Sequence, residues 1–313
     1  MGKGGARGQH HPGLTGAVPL RLALLNPHAG GGRAARLATP LAKGLAQIAP
    51  DYRLHVAQSI DDALAQLRAL PKASRVIVVG GDGTLNRLLP AFLDCKHVLA
   101  LVPCGTGNDT ARALGLFGKP WQKALEVALS GKVRAIDVGE ARFGGAVVHF
   151  VSSFSAGFDA AVCRRARDGP RYLTGLARYL RATLAEVATL RHWEIRISLD
   201  GMLVHEGPAL FAASLNTPTF GGGMRAVPHA RIDDHRLDLL MAGAFGRAAV
   251  LTMLPRLMAG RHLGDTRVLT RPYTAASISS RDALPLAADG EYLGDARAIA
   301  LRVLRAALTV IGA

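Results

Sequence analysis

The sequence predicts a chain in two parts, a parallel α/β half followed by a mostly antiparallel β half. Three observations predict it. Short apolar runs alternate with stretches of helical spacing as far as about residue 137, the pattern of a parallel sheet with helices on both faces. Beyond that point the chain breaks into strand-like pieces separated by glycines and Asp-Gly pairs. Three apolar runs of the first half end in glycine-rich loops, and an open parallel sheet gathers its ligands at the carboxyl ends of its strands.

Taken in order, VPLRLALLN (18–26) reads as a strand and Ala34 to Ile48 as a helix. YRLHVAQ (52–58) is a strand, and Asp61 to Leu70 has helical spacing at Leu64, Leu67 and Leu70. VIVV (76–79) is a buried strand followed by a helix from Leu85 to Leu93. VLALVP (98–103) is another strand, with helices near Thr110 to Leu114 and from Pro120 to Leu129. In the second half, 138–160 gives short strands broken at Gly144, Gly145 and Gly157. Residues 170 to 190 predict one amphipathic helix with Leu173, Leu176, Leu180, Leu184 and Val187 inward. HWEIRISLDGMLVHEG (192–207) reads as a hairpin about Asp200-Gly201. Strands are expected again at 208–216, 236–242, 266–280 and 297–304.

A length of 313 residues suits about two domains. No apolar run approaches the ~20 residues that cross a bilayer. Residues 1–17 hold six glycines and no apolar core of a signal peptide, so they read as a flexible tail. Three scattered cysteines offer neither a disulfide framework nor a zinc site and suit a cytoplasmic protein. The net charge of +15 favours an anionic partner, or reflects nothing more than an arginine-rich codon bias. Aromatics at 5% without basic interleaving argue against nucleic acid.

The three loops are NPHAGGGR (26–33), GGDGTLN (80–86) and PCGTGND (103–109). Glycines there admit positive φ and let backbone N–H groups approach phosphate oxygens. None of the three is a Walker loop or a G-x-G-x-x-G turn, and Asp82 stands where a phosphate loop ordinarily avoids an acid.

These loops, with FVSSFSAGFDA (150–160), NTPTFGGGMRAVPHARIDD (216–234) and ADGE (288–291), resemble the diacylglycerol kinase catalytic family. That family includes soluble bacterial diacylglycerol and lipid kinases and is related to sphingosine and ceramide kinases. The matches run in order from about residue 20 to 291; GGDGT alone is shared with NAD kinases and phosphofructokinases.

The resemblance implies a nucleotide-binding α/β domain over 18–138 and a β-sandwich lipid-substrate domain over 139–299, with residues from about 300 to 313 packing back on the first. It implies ATP as donor, Mg²⁺ as cofactor and a lipid hydroxyl as acceptor. Nucleotide contacts would come from Asn26, Pro27, His28, Ala29 and Gly30, from Ser59, and from Gly80, Gly81, Asp82, Gly83, Thr84, Leu85 and Asn86. Gly105, Thr106, Gly107 and Asn108 complete them, with Glu291 positioning metal or nucleotide. Asp289 would be the general base, and Asp82 and Asp109 would hold the catalytic Mg²⁺, although Asp109 at a helix start reads equally well as an N-cap. With no Walker lysine, Arg33 or Arg112 would help offset phosphate charge. A second, structural Mg²⁺ would sit on Asp234 with the carbonyls of Arg231 and Arg236. The chain departs from the family at His235, where glycine is usual, and at Arg87, where Glu is common.

Residues 164 to 191 carry seven arginines against Asp168 and Glu186. They form either an ordinary solvated face or a surface for transient contact with anionic lipid headgroups at the inner membrane face. Nothing in the sequence identifies the lipid, and the oligomeric state stays open, a homodimer included. The competing readings are a kinase for a soluble alcohol such as NAD, a non-catalytic nucleotide-binding regulator and, on charge alone, a nucleic-acid binder.

Overall fold

The computed structural model describes residues 21–169 and 175–313; the expected N-terminal tail lies outside them. The first half alternates β1 (Arg21–Leu25), α1 (Ala38–Ile48), β2 (Tyr52–Val56), α2 (Ile60–Arg68), β3 (Arg75–Gly80), α3 (Asp82–Cys95), β4 (Val98–Pro103), α4 (Asp109–Ala113) and α5 (Trp121–Ser130). The second half holds β5 (Lys132–Phe143), β6 (Ala146–Phe150), β7 (Ser153–Gly157), α6 (Phe158–Arg167), α7 (Gly175–Ala188), β8 (Trp193–Leu199) and β9 (Met202–Leu215). It continues with β10 (Leu237–Gly243), α8 (Arg247–Met258), β11 (Val268–Tyr273), β12 (Ala275–Ala288) and β13 (Glu291–Gly312).

Strands β2, β1, β3 and β4 pair in parallel in that order. Strands β1, β3 and β4 are almost continuously apolar because both of their faces are covered, whereas the edge strand β2 carries Arg53 and His55. Leu41 and Leu45 of α1 and Leu125 of α5 pack on Leu25, Ile77 and Val102 on one face. Leu67 of α2 and Leu85, Leu88 and Phe92 of α3 pack on Leu22, Val76 and Leu101 on the other. The fifth parallel strand is the end of β13, where Val310 and Ile311 lie beside Leu99 and Ala100.

The second half is an antiparallel β-sandwich. Strand β12 pairs with β7 through Leu286–Ala288 and with β8 through Ala276–Ser280. Strand β9 likewise pairs with both β7 and β8. Each long strand therefore feeds two layers, and each bends at a register shift. Phe150, Phe154, Trp193, Ile197, Leu239 and Leu286 fill the space between. Strand β5 runs along β13, where burial acting alone would raise the Glu140 pKa. Hydrogen bonds from Arg302 and Arg142 outweigh burial and hold it at about 2.

Three elements differ from expectation. Helix α3 starts at Asp82 instead of Leu85, directly at the end of β3. The single helix expected over 170–190 is preceded by a separate one, α6, and of its expected inward stripe Val187 is buried while Leu180 and Leu184 are not. Leu180 and Leu184 are 36% and 58% exposed. Instead α7 buries Ala182, Thr183, Glu186 and Val187, because its neighbour α6 presents Arg165, which donates to Glu186 at 2.6 Å. The Leu173 and Leu176 side chains of that stripe lie outside the described residues. Helix α8 has no counterpart in the expectation; Pro255 within it weakens the helical signal. Among the described residues no helix is long and apolar enough to cross a membrane.

Candidate active site

The loops after β1, β3 and β4 meet at one end of the parallel sheet and brace one another. Asn26 Nδ2 donates to Thr84 Oγ1 at 2.7 Å, and Asn26 Oδ1 accepts from the His28 N–H. Asn108, in a left-handed conformation with φ 57°, clamps Gly105 from both sides, accepting from its N–H and donating to its carbonyl. Gly81 and Gly105 touch so closely that a Cβ on Gly81 would stand 2.5 Å from the Gly105 Cα. Arg33 donates to the Gly30 and Gly105 carbonyls. It therefore ties two loops together. Arg112 lies over the Phe117 ring.

Asp82 caps a helix other than its own. Its Oδ2 accepts from the Asp109 N–H at 2.8 Å and its Oδ1 from the Thr110 N–H at 3.1 Å, satisfying the first donors of α4. The N-cap reading of Asp109 is corrected by this: Asn108 occupies the cap position and Asp82 supplies the acceptor. Asp109 instead reaches the second domain, accepting from Thr219 Oγ1 at 2.6 Å and from the Gly222 N–H at 2.8 Å. Burial raises the Asp82 pKa, and the Asp109 charge adds to it.

Asp289 sits in the two-residue turn between β12 and β13, with φ 46° followed by Gly290 at 84°. Its Oδ2 accepts from Asn86 Nδ2 (3.0 Å) and the Val151 N–H (3.1 Å), its Oδ1 from the N–H groups of Ser152 (2.8 Å) and Ser153 (3.0 Å). Burial pushes its pKa up to about 6 against these four hydrogen bonds. Glu291 lies over the start of α3, 3.7 Å from Arg87; a Cβ on Gly83 would come within 2.8 Å of its Oε1.

Between the domains runs a cleft of about 680 Å³. It brings together Asn26, His28, Ala29, Gly30, Ser59, Gly81, Asp82, Gly83, Thr84, Gly105, Thr106, Gly107, Asp109, Asp289 and Glu291. Other expected site residues do not line it. Leu85 is in the core because α3 begins three residues before it. Asn86 points at Asp289, Gly80 lies under Thr84, and Asn108 is spent on Gly105. Pro27 is outside the lining. The second domain contributes Ser155, Asp159, Tyr179 and Phe220, to which sequence reasoning gave no role. The only sequence signal for Asp159 is its place inside the matched FVSSFSAGFDA stretch. A second pocket, lined by Phe158, Leu210, Phe211, Met224, Leu254 and Leu257 among others, adjoins the cleft and shares Asp159, Tyr179 and Phe220 with it.

Among the described residues no three acidic, histidine or cysteine side chains cluster as a metal cage. Magnesium needs none, since it keeps several waters and takes one or two carboxylates plus phosphate oxygens. Asp82 fits that demand: it is desolvated, lines the cleft, and retains a lone pair on each oxygen beyond its two N–H donors.

In the loop expected to hold the structural metal, Arg231, Asp234 and Arg236 are all exposed. Asp234 is exposed and its Oδ1 accepts from the Arg236 N–H, while Asp233 is drawn to Arg134 and Arg231. The buried carboxylate nearby, Asp137, is satisfied by protein groups: the His235 N–H (2.6 Å), His235 Nδ1–H (3.0 Å) and the Ala306 N–H (2.7 Å). His235 adopts the left-handed conformation, φ 66°, that glycine would favour, and its ring supplies a hydrogen bond that glycine could not. His235→Ala is expected to cost roughly 1–3 kcal/mol by leaving Asp137 short of a donor. His235→Gly should cost less because its backbone strain is relieved. Urea melts of the two variants check this ordering.

The fold joins a parallel α/β half to an antiparallel β-sandwich around one cleft. The chain belongs to the diacylglycerol kinase family: residues 21–141 match the diacylglycerol kinase catalytic domain and residues 152–312 the YegS C-terminal NAD kinase beta sandwich-like domain. It is 32% identical to a diacylglycerol kinase of Mycobacterium tuberculosis over 251 residues, 79% of this chain and 81% of that one. It is 26% identical to a diacylglycerol kinase of Bacillus subtilis over 232 residues, 74% and 75% of the two chains. A diacylglycerol kinase structure from Bacillus anthracis superposes with a TM-score of 0.68 at 19% identity, covering 94% of this chain and 97% of that one. An NAD kinase from Archaeoglobus fulgidus in complex with ATP superposes with a TM-score of 0.53 at 10% identity, covering 93% of each. These two likenesses show the fold.

Proposed function

We propose that this protein is an ATP- and Mg²⁺-dependent lipid kinase that transfers the γ-phosphate to a lipid hydroxyl, with Asp289 as general base. One observation carries the lipid part: the cleft that holds the glycine loops and Asp289 shares Asp159, Tyr179 and Phe220 with an adjoining apolar pocket. A soluble acceptor such as NAD would find little there to hydrogen-bond.

Phosphoryl transfer asks the protein mainly to position groups and neutralise charge. The N–H groups of Gly30, of the 81–84 turn that starts α3 and of Thr106 and Gly107 would face the triphosphate, with Asn26 and Thr84 fixed by their mutual bond. Asp82 would hold the magnesium ion, which supplies charge neutralisation at the phosphates. Asp289 takes the proton of the acceptor hydroxyl. Its oxygens already carry four donors, so one must give way. Asn86 is the only side chain among the four and can swing aside while the three backbone donors keep the carboxylate in place.

Transient membrane attachment would draw on Leu180 and Leu184 on α7 and Leu251 and Met258 on α8, all exposed. Arg181 and Arg256 on the same helices suit anionic headgroups. The test is to incubate the purified protein with labelled ATP, Mg²⁺ and a total lipid extract, with NAD as a parallel acceptor, and to identify the labelled product by mass. A phosphorylated lipid is expected. Label appearing only in NADP, or in no acceptor while ATP still binds, rejects the proposal.

A further inference from the structure

A nucleotide triphosphate stays anionic after magnesium binds it, so transfer favours a cationic side chain beside the phosphates. Arg33 and Arg112, expected for that task, do not line the cleft. Arg33 is committed to the Gly30 and Gly105 carbonyls, and Arg112 stacks 3.2 Å over the Phe117 ring. Among the described residues the arginines that line the cleft are Arg87, Arg167 and Arg178. Arg87 alone of these comes from the first domain. It follows Gly83 by four residues and Thr84 by three, so it shares a face of α3 with the glycine turn. Its guanidinium lies 3.7 Å from one carboxylate oxygen of Glu291. The other oxygen overhangs Gly83, where a Cβ would come within 2.8 Å of it. Arg87 therefore stands at the mouth of the 81–84 turn. At 3.7 Å its ion pair is too long for a hydrogen bond, and both side chains are about half exposed. The guanidinium donates no hydrogen bond among the described residues. No step above uses it, and its charge is opposite to that of the Glu common there in the family.

We propose that Arg87 is a catalytic residue of this chain: it binds the γ-phosphate of the nucleotide and holds it during transfer. The loose pair with Glu291 opens when the nucleotide enters, since an exposed ion pair contributes little and exchanges readily. The guanidinium then takes the γ-phosphate oxygens as a bidentate fork. In the transfer itself, the bond from phosphorus to the β-phosphate oxygen breaks and leaves its electrons on ADP. The acceptor oxygen bonds to phosphorus and its proton passes to Asp289. Charge spreads over the three oxygens of the moving phosphoryl group, and Arg87 is the protein cation placed to meet it. It stays protonated throughout.

The inference rests on the kinase reading, and its test lets the two fail separately. Affinities of the full chain for Mg-ATP and Mg-ADP are measured by calorimetry without lipid, and turnover on the lipid extract is followed in parallel. Arg87→Ala should lose roughly 10–100-fold in affinity for Mg-ATP, the scale of one charge-assisted hydrogen bond, with Mg-ADP affinity unchanged. The kcat/KM for ATP should fall by at least the same factor. Arg87→Lys keeps the charge but not the fork and should lose less. Arg87→Glu should lose more than the alanine variant, because a carboxylate there opposes both the phosphate and Glu291. An equal fall for both nucleotides is the result of a merely structural arginine and overturns the inference. So does an unchanged Mg-ATP affinity, or an Arg87→Glu protein that binds Mg-ATP as well as wild type. If no lipid is labelled but the ATP-specific loss appears, the kinase reading falls and the γ-phosphate contact stands. Turnover without an ATP-specific loss keeps the kinase and removes Arg87 from this role.

Discussion

Asp289→Asn is expected to lower kcat by about 100-fold or more, the scale of losing a general base, with little change in nucleotide affinity. The wild-type pH profile should show the same group. With its pKa pushed up to about 6, Asp289 is protonated below that pH and unable to take a proton. The acid limb of kcat/KM, which reports the free enzyme, therefore falls in the region of pH 6, and the variant lacks it. The stability sign is opposite. The folded pKa lies above the ordinary aspartate value of 3.8, so the folded state binds the extra proton between about pH 4 and 6. The contribution of this group to stability is lost as pH rises through that window. The ionised form that works is the one that folding favours less. A profile flat from pH 5 to 7, or a variant as fast as wild type, removes Asp289 from the role of base.

Gly81→Ala is expected to have the next largest effect. The new Cβ would stand 2.5 Å from the Gly105 Cα, against backbone that no rotamer change can move. The loops after β3 and β4 must then separate. The cost is about 1–3 kcal/mol of stability, typical of an overpacked site, and the nucleotide N–H groups of both loops are displaced together. Nucleotide binding should weaken by roughly 10-fold or more, since 1.4 kcal/mol is tenfold. Thermal melts with a fluorescent ATP analogue measure both. An unchanged melting temperature together with unchanged affinity shows that the two loops are not coupled as described.

Much of the first domain was legible because its strands are apolar on both faces and its loops carry their own punctuation. VIVVGG announces both a buried strand and the turn that ends it. The second domain was less legible where burial depends on a distant neighbour. The stripe of Leu180 and Leu184 reads as a core face, but α7 is turned by its packing on α6, with Glu186 held inward by Arg165. Site residues followed the same division. Those on the three glycine loops are local, and most of them line the cleft. Asn86 was placed at the nucleotide, since nothing local shows that a side chain 203 residues away waits for its amide. Asp159 passed unnoticed because a lone acid near a helix start is commonplace. Only the meeting of two cavities at its carboxylate sets it apart.

Strand β13 pairs with β12 and β5 in the second domain and with β4 in the first. On the ribosome, the first four parallel strands are made long before their fifth neighbour. Until Val310 and Ile311 emerge, the apolar strand VLALVP keeps one edge unpaired, an invitation to foreign strands. Asp289 and Glu291 also arrive late, so neither domain completes its half of the cleft alone. Closing that edge takes a contact between residues more than 200 positions apart in sequence, the kind that is slow to form. Truncation within the last few residues should therefore damage the first domain, which is otherwise encoded at the opposite end of the chain.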